Sequence, residues 1–358
     1  MFGNRKAPFR LGKTKYKHIT QGTQIALLIV WIASIVIYNL NGYEGITILI
    51  NGLVAVAVSL IVEVLFKLSK KESYDSWIKF IKDCYCKENI LMIPLLSVLL
   101  LPLHTPLYLI VVAVIMSVWI GKLVFGGYGF SIFNPGVVGV LFVQLSFKAQ
   151  LAFPADMDGN YPLQLLKTAT QNMNIARLHP YDALLFNGGY GMSVGTASIG
   201  LLILLFIVLS IIKAIDWRVA ITYVLTVFGI TAFMGGLVYA QEHVLSGLVI
   251  FGAVFLVSEN VTSPTSRETK LLYAVIVGLI TVMVRTIGSN VEGVLFAVLV
   301  GNMFTPYLNR TVKQSNIRGL LKVAVFAIIV IVAAGFALNA IIEARSVTEL
   351  AEFVGVMM

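Results

Sequence analysis

Apolar runs of about 20 residues, the length a helix needs to cross the hydrocarbon of a bilayer, recur from residue 25 to residue 342 of this 358-residue chain. No soluble domain of any size fits between them. Hydrophobic residues make up 58% and charged residues 12% of the chain, and the mean hydropathy is +0.91; soluble domains carry about twice that share of charge. The pattern predicts an all-α polytopic membrane protein with spans at roughly 25–40, 46–66, 90–102, 106–124, 131–147, 197–213, 219–239, 245–257, 271–285, 291–304 and 323–342.

Placing the N-terminus in the cytoplasm puts 21 of the 26 Lys and Arg residues inside and leaves Lys148, Lys167, Arg177, Arg285 and Arg345 outside. That asymmetry sets the orientation, and eleven spans then put the C-terminus on the extracytoplasmic side. The same asymmetry accounts for the net charge of +9 without a nucleic-acid partner; the lipid bilayer is the partner expected. The basic N-terminus precedes one span among many, so it is not read as a cleavable signal peptide. Cys84 and Cys86 stand in a charged loop with no second pair. They read as solvated thiols, not as a disulfide framework or a zinc site.

The sharpest break in the apolar pattern is Phe125 to Gly139, FGGYGFSIFNPGVVG. Irregular backbone at membrane depth survives only where protein buries it or where it lines a cavity, and such interruptions point to intramembrane binding sites. Glycines admit a flat ligand close to the main chain, and Ser131 and Asn134 can bond ring heteroatoms. A helix kink or a tight interfacial turn would use the same residues. One long loop, 148–195, is expected outside; it carries Asp156-Met-Asp158-Gly-Asn-Tyr161-Pro and the glycine-rich stretch 187–191. It separates two similar halves. Each has two ordinary spans, a short apolar segment ending near a proline (Pro106, Pro264), another span, a glycine-containing break and a final span opened by Gly-Val-Leu-Phe (139–142 and 293–296). An odd number of spans per half requires inverted topology. The last span falls outside the repeat and reads as an accessory helix.

Soluble-enzyme motifs are absent: no phosphate-binding P-loop, no GxGxxG after a strand, no HExxH and no paired carboxylates in a cleft. His104, His179 and His243 are placed in separate outer loops, where interfacial hydrogen bonding is the expected role. Ionisable residues near the spans draw attention by default. Glu63 is expected to be solvated or paired one turn from Lys67, Glu259 to reach a cavity from the break at 258–264, and Arg285 and Glu292 to frame the outer break, where they can pair.

Taken together, these motifs resemble the RnfD/NqrB family, the flavin-bearing membrane subunits of Rnf and Na⁺-translocating NADH:quinone oxidoreductase complexes. The resemblance runs from about residue 25 to residue 310. It rests on Phe125-Gly-Gly-Tyr-Gly-Phe-Ser-Ile-Phe-Asn-Pro-Gly136 against FGGxGxNxFNPA, and on Ser193-Val-Gly-Thr-Ala-Ser198 against SxGETS. Asp216-Trp-Arg218, Val261-Thr-Ser-Pro264, Arg285-Thr-Ile-Gly288 and Glu292-Gly-Val294 match further elements. The resemblance implies two inverted five-helix repeats, similar to urea and ammonium channels, plus one extra C-terminal transmembrane helix. It also implies a flavin on the outer side and riboflavin near the FNP element inside. The cofactor-binding set carried over is Gly126, Gly127, Tyr128, Gly129, Ser131, Phe133, Asn134, Pro135, Ser193, Gly195, Thr262 and Ser263, with Tyr128 or Phe133 available for stacking. Ser131 stands where the family usually has Asn. Tyr161 stands where the family attaches FMN to Thr, with Asp158 for the usual Ser, so no covalent FMN is expected there; Thr196 is not expected to replace it.

The expected division is a basic cytoplasmic N-terminus (1–24), a first transmembrane half (25–147), the outer loop (148–195), a second half (196–306), and a basic linker with the eleventh helix and an outer tail (307–358). The expected function is that of a bacterial plasma-membrane subunit of an electron transport complex, with no complete active site of its own and no metal site. It would bind riboflavin or FMN non-covalently beside other membrane and peripheral subunits, one of them an extracytoplasmic flavoprotein, with cation translocation belonging to the assembly. The alternatives are a solute or ion transporter, or a scaffold, that kept the fold and lost the redox flavin.

Overall fold

The computed structural model describes residues 13–69, 90–127, 129–148, 150–151, 185, 193–287, 292–311, 323 and 325–341, with side chains from residue 20. All regular structure among them is helical. In chain order it comprises α1 (Lys13–Leu40), α2 (Gly45–Ser69), α3 (Met92–Leu100), α4 (Leu107–Val118, continued by the π-helical turn Trp119–Leu123) and α5 (Pro135–Ser146). A 3-10 turn (Val194–Thr196) leads into α6 (Ile199–Ile211). Then come α7 (Trp217–Leu245), α8 (Val249–Phe251, continued by the π-helical Gly252–Val257), α9 (Arg267–Thr286) and α10 (Val294–Thr311), and α11 (Val325–Ile341). By length and composition four of these can cross a membrane: α1 from Thr20, α2, α7 and α9.

Local sequence explains where the helices start. Asn134 caps α5 by accepting from the Val137 N–H, with Pro135 at the first helical position, where its missing N–H costs nothing. Ser198 accepts from the Leu201 N–H at the start of α6, and Asp216 accepts from the Arg218 N–H at the start of α7. Ser266 and Thr269 form a capping box on α9. Every such cap satisfies a donor that lipid cannot.

The short segments have a different fate from the long ones. Every residue of α3 is buried, and so is every residue of Gly252–Val257. A nine-residue helix rises about 14 Å, roughly half the hydrocarbon thickness. These segments therefore form the protein's interior. The lipid-facing surface is supplied by residues such as Ile61 and Leu65 on α2, Leu204 and Ile211 on α6, and Phe336 on α11, all exposed.

The packing order is the same in both parts of the chain. α2 packs on α4 and α4 on α5; α7 packs on α9 and α9 on α10; α5 meets α10 between them. The two Gly-Val-Leu-Phe glycines occupy matching contacts. A Cβ at Gly139 would fall on the carbonyl of Ala113 and the hydroxyl of Ser117, and one at Gly293 would lie 2.6 Å from the carbonyl of Thr281. α11 lies against α7, where Gly229 faces Ile331 and Gly335 faces Phe233.

One helix runs further than its hydropathy implies. Gly236 adopts φ +84° inside α7, a left-handed conformation open to glycine, and the helix resumes beyond it to Leu245. Residues 240–244, expected in an outer loop, are therefore helical, and His243 is buried there, not interfacial. His104 is exposed as expected; His179, Cys84, Cys86 and most of the 148–195 loop lie outside the described residues.

Overpacking the α4–α5 contact is costly. Gly139→Val is expected to lower stability by about 1–3 kcal/mol, read as an earlier thermal transition in detergent, while Leu40→Ala, at a position 80% exposed, leaves the transition in place.

Candidate functional site

The two interruptions expected from the sequence meet. The first runs from the π-helical turn of α4 through three glycines to Asn134. Gly126, Gly127 and Gly129 hold φ of 105°, 103° and 98°, a region other residues enter only under strain, and the space above Gly126 is open. The second runs from the end of the α8 π-helix to Ser266. Asn134 Nδ2 donates to Glu259 Oε2 at 2.7 Å, joining them, and Thr262 Oγ1 donates to the same carboxylate oxygen at 3.3 Å. Thr305 of α10 donates to the Thr262 carbonyl at 3.2 Å. Asn260 is pinned by the Ala214 carbonyl and by Lys270, which also pairs with Asp216 at 3.1 Å.

Asn134 thus gives its carbonyl to Val137 and an amide hydrogen to Glu259, leaving at most one hydrogen for a ligand. The unpartnered groups are Ser131 Oγ and Ser263 Oγ, both buried and without a hydrogen-bond partner. Ser131 precedes Asn134 by three residues in the chain and Ser263 follows Glu259 by four. Phe133 packs edge-on against Phe125, ring centroids 6.5 Å apart, and Pro135 sits against Gly121, where a Cβ would come within 2.7 Å of the proline Cα. Tyr128 and Tyr161 lie outside the described residues.

Ser193 and Gly195 belong to a second cluster, where the 3-10 turn docks on the end of α3. The Val194 N–H donates to the Leu101 carbonyl, Ser34 of α1 donates to the Val194 carbonyl at 2.8 Å, and a Cβ at Gly195 would strike Phe251 and the Leu99 carbonyl. Thr196 turns its hydroxyl back to the Ser193 carbonyl at 2.8 Å and is buried, which gives it no outward-facing attachment point.

Two buried ion pairs stand at breaks in the helices, one beside the first interruption and one between α9 and α10. Glu63 does not pair with solvent or Lys67: the buried stripe of α2 (Ile48, Asn51, Ala55, Ser59, Glu63) turns it inward, where it pairs with Lys122. Lys122, counted by position as a cytoplasmic loop charge, is fully buried in the π-helical turn beside Gly121. At the other end of α9, Arg285 Nη2 donates to Glu292 Oε1 at 2.8 Å and Nη1 to the His243 carbonyl at 2.7 Å, and the Leu248 N–H donates to Glu292 Oε1 at 3.1 Å. The pairing expected of Arg285 and Glu292 is present, and it is buried.

Sequence reading passed over Lys122, Glu242, Tyr223 and Tyr273. The signal for Lys122 was available: a lysine inside an apolar run, four residues before the first glycine pair. The tyrosines carried no signal, because an aromatic in a membrane helix is ordinarily packing.

The family described as NQR2, RnfD, RnfE matches residues 4–318. The chain belongs to that family. With its long apolar helices, it is a membrane protein. A subunit of the Na(+)-translocating NADH-quinone reductase of Chromohalobacter salexigens is 30% identical over 252 residues, covering 66% of this chain and 61% of the relative. A subunit of the Na(+)-translocating ferredoxin:NAD(+) oxidoreductase complex of Acetobacterium woodii is 30% identical over 232 residues, covering 62% and 70%. A subunit of the ion-translocating oxidoreductase complex of Actinobacillus succinogenes is 25% identical over 356 residues, covering 83% and 95%. In this family member the FNP element is thus the cap of a helix and half of a polar clasp.

Removing one partner from a buried pair strands the other. Lys122→Met is expected to destabilise by about 3–5 kcal/mol, and adding Glu63→Leu to restore most of the loss. Thermal melts of the two variants in detergent measure the difference.

Proposed function

We propose that this chain is the flavin-holding membrane subunit of an Rnf- or Nqr-type electron transport complex. The observation that carries the reading is the pair of buried, unpartnered hydroxyls, Ser131 and Ser263, each within four residues of the Asn134–Glu259 clasp in a chain whose glycine backbone is held open. A flat heteroaromatic ring has a polar edge needing a few donors and acceptors and apolar faces needing a narrow slot; the residues fit that demand. Ser131 and Ser263 would bond the polar edge, the glycines at 126, 127 and 129 would admit the ring plane, and Phe133 would cover a face. When bound, the flavin supplies reversible electron transfer; the protein supplies position, exclusion of water and hydrogen bonds that tune it. Tyr161 at the family's acceptor position supports non-covalent attachment of riboflavin or FMN.

The relatives' names are those of subunits, so the partners proposed are other membrane and peripheral subunits, an extracytoplasmic flavoprotein among them. Electrons would enter and leave through these partners, since the chain has no nicotinamide motif. The fold proposed is two inverted halves, 25–147 and 196–306, joined by the outer loop 148–195, with the N-terminus cytoplasmic in a bacterial plasma membrane and the eleventh helix accessory. The repeated packing order and the matched glycines, Gly139 and Gly293, support it. The buried pairs Glu63–Lys122 and Arg285–Glu292 favour a second reading, an ion transporter without flavin, because charge at membrane depth commonly marks an ion pathway.

The visible spectrum of the purified protein separates the two. Flavin absorbance released into the supernatant by acid is expected, and reduced by at least half in a Ser131→Ala, Ser263→Ala double variant that keeps the wild-type size-exclusion profile. A colourless preparation that carries ions in liposomes would favour the transporter; colour retained by the denatured chain would overturn non-covalent binding.

A further inference from the structure

α6 and α7 both pack on α8 and touch each other only sparingly, which leaves a groove between them with α8 beneath. The groove has a volume of about 200 Å³, and every residue lining it is apolar. Small side chains make the recess: Ala220 of α7 and Ala253 of α8 are buried in its wall, beside Val254. Larger ones raise its rim, for Ile203 of α6 and Ile221 and Leu225 of α7 line the same space and are exposed. The groove therefore opens on the outer surface of the helices, where Leu204 and Ile211 also face lipid.

An occupant of this groove must be apolar and slender. Water finds no donor or acceptor there, and walls left bare forfeit their dispersion contacts. The space is smaller than the roughly 300–1,000 Å³ that holds a drug-sized ligand, and its open side lets a chain continue along the helices.

One end of the groove is charged. Trp217 and Arg218 stand four and three residues before Ile221, on the face of α7 that Ile221 and Leu225 carry into the groove. Trp217 is exposed, and the Arg218 guanidinium carbon lies 5.4 Å from the centre of its ring. Lys213 is exposed in the turn that joins α6 to α7. Among the described residues neither Lys213 nor Arg218 has a carboxylate partner, and Asp216, the acid of that turn, is taken by Lys270. Two unbalanced cations thus sit beside a tryptophan, the side chain that settles at the level of lipid headgroups.

We propose that this groove holds an anionic phospholipid, with one acyl chain in the recess over Ala220 and Ala253 and the headgroup phosphate held by Lys213 and Arg218. Arginine offers phosphate oxygens a fork of N–H donors, and lysine adds a point charge. A zwitterionic headgroup brings its own cation toward the same two side chains, so the anionic lipid is selected. The groove also borders the second interruption. Ser258 donates its hydroxyl to the Val254 carbonyl at 2.5 Å and Glu259 comes next in the chain, so the acyl chain braces from the lipid side the segment that leads to the Asn134–Glu259 clasp. None of the groove residues is assigned to the flavin, and the site stands without that reading.

The test uses the full-length protein in detergent, stripped of co-purified lipid and offered phosphatidylglycerol or phosphatidylcholine with identical chains. Native mass spectrometry is expected to show one phosphatidylglycerol retained per protein at a roughly tenfold lower lipid concentration than phosphatidylcholine, the scale that two basic side chains set near a membrane surface. Its binding is expected to raise the thermal transition by a few degrees. The double variant Lys213→Gln, Arg218→Gln, changed only at the mouth, is expected to lose the preference with its size-exclusion profile unchanged. Ala220→Leu, which fills the recess, is expected to lose retention of either lipid. Equal retention of the two lipids by the wild type, an undiminished preference in the double variant, or an equal thermal shift from glycerol phosphate without chains would each overturn the proposal. So would a protein that takes neither lipid, the result expected where a helix of another subunit covers the groove. Flavin absorbance reports separately on the electron-transfer reading, so the two can fail independently.

Discussion

The bond from Asn134 to Glu259 is the constraint around which the described structure is arranged. Two helices are interrupted where lipid offers no hydrogen bonds, and an interruption is tolerable there only if its polar groups find partners inside the protein. Asn134 does two things at once: it caps α5, and it reaches across to the other interruption. Glu259 in turn collects Thr262, whose carbonyl is held by Thr305. One carboxylate therefore ties together elements more than 120 residues apart in sequence. What the clasp leaves unsatisfied, the hydroxyls of Ser131 and Ser263, is what a ligand would find.

Rigidity around this clasp comes from close backbone approach and from buried charge. Gly121 admits Pro135, Gly139 admits the Ala113 carbonyl, and Gly293 admits the Thr281 carbonyl, so α4–α5 and α9–α10 sit too close for any side chain between them. Small residues serve this purpose in membranes, where apolar surface gains little by leaving lipid. Lys122–Glu63 and Arg285–Glu292 then lock the helix ends next to the breaks. Desolvated pairs add little net stability; their effect is to exclude other arrangements, since either partner alone would be stranded.

Much of this was legible in the residues, and the failures have physical causes. Glycines, an asparagine and a proline between two apolar runs announced the first interruption, because each has a conformational reason to be there. The pairing of Arg285 with Glu292 was readable from two opposite charges around a short break. Glu63 was misplaced because Lys67, one turn away, is the obvious local partner. Lys122 is distant in sequence, and only the inward face of α2 selects it. His243 was assigned to a loop because hydropathy falls after residue 239; a single left-handed glycine, Gly236, lets the helix continue past that point. The buried polar contacts of α9, Tyr273 with Asn302 and Thr281 with Tyr223, were invisible for another reason. Tyr273 and Thr281 look like packing residues until Asn302 and Tyr223 are seen opposite them.

The central claim is that the two interruptions enclose a slot for a planar redox ring, and an experimental density map of the chain within its complex tests it most directly. The account predicts flat, three-ring density between the two interruptions, with its polar edge within hydrogen-bonding distance of Ser131 and Ser263 and no covalent link to Tyr161. Side chains closed over both serines, with no such density between Asn134 and the glycines, would contradict it.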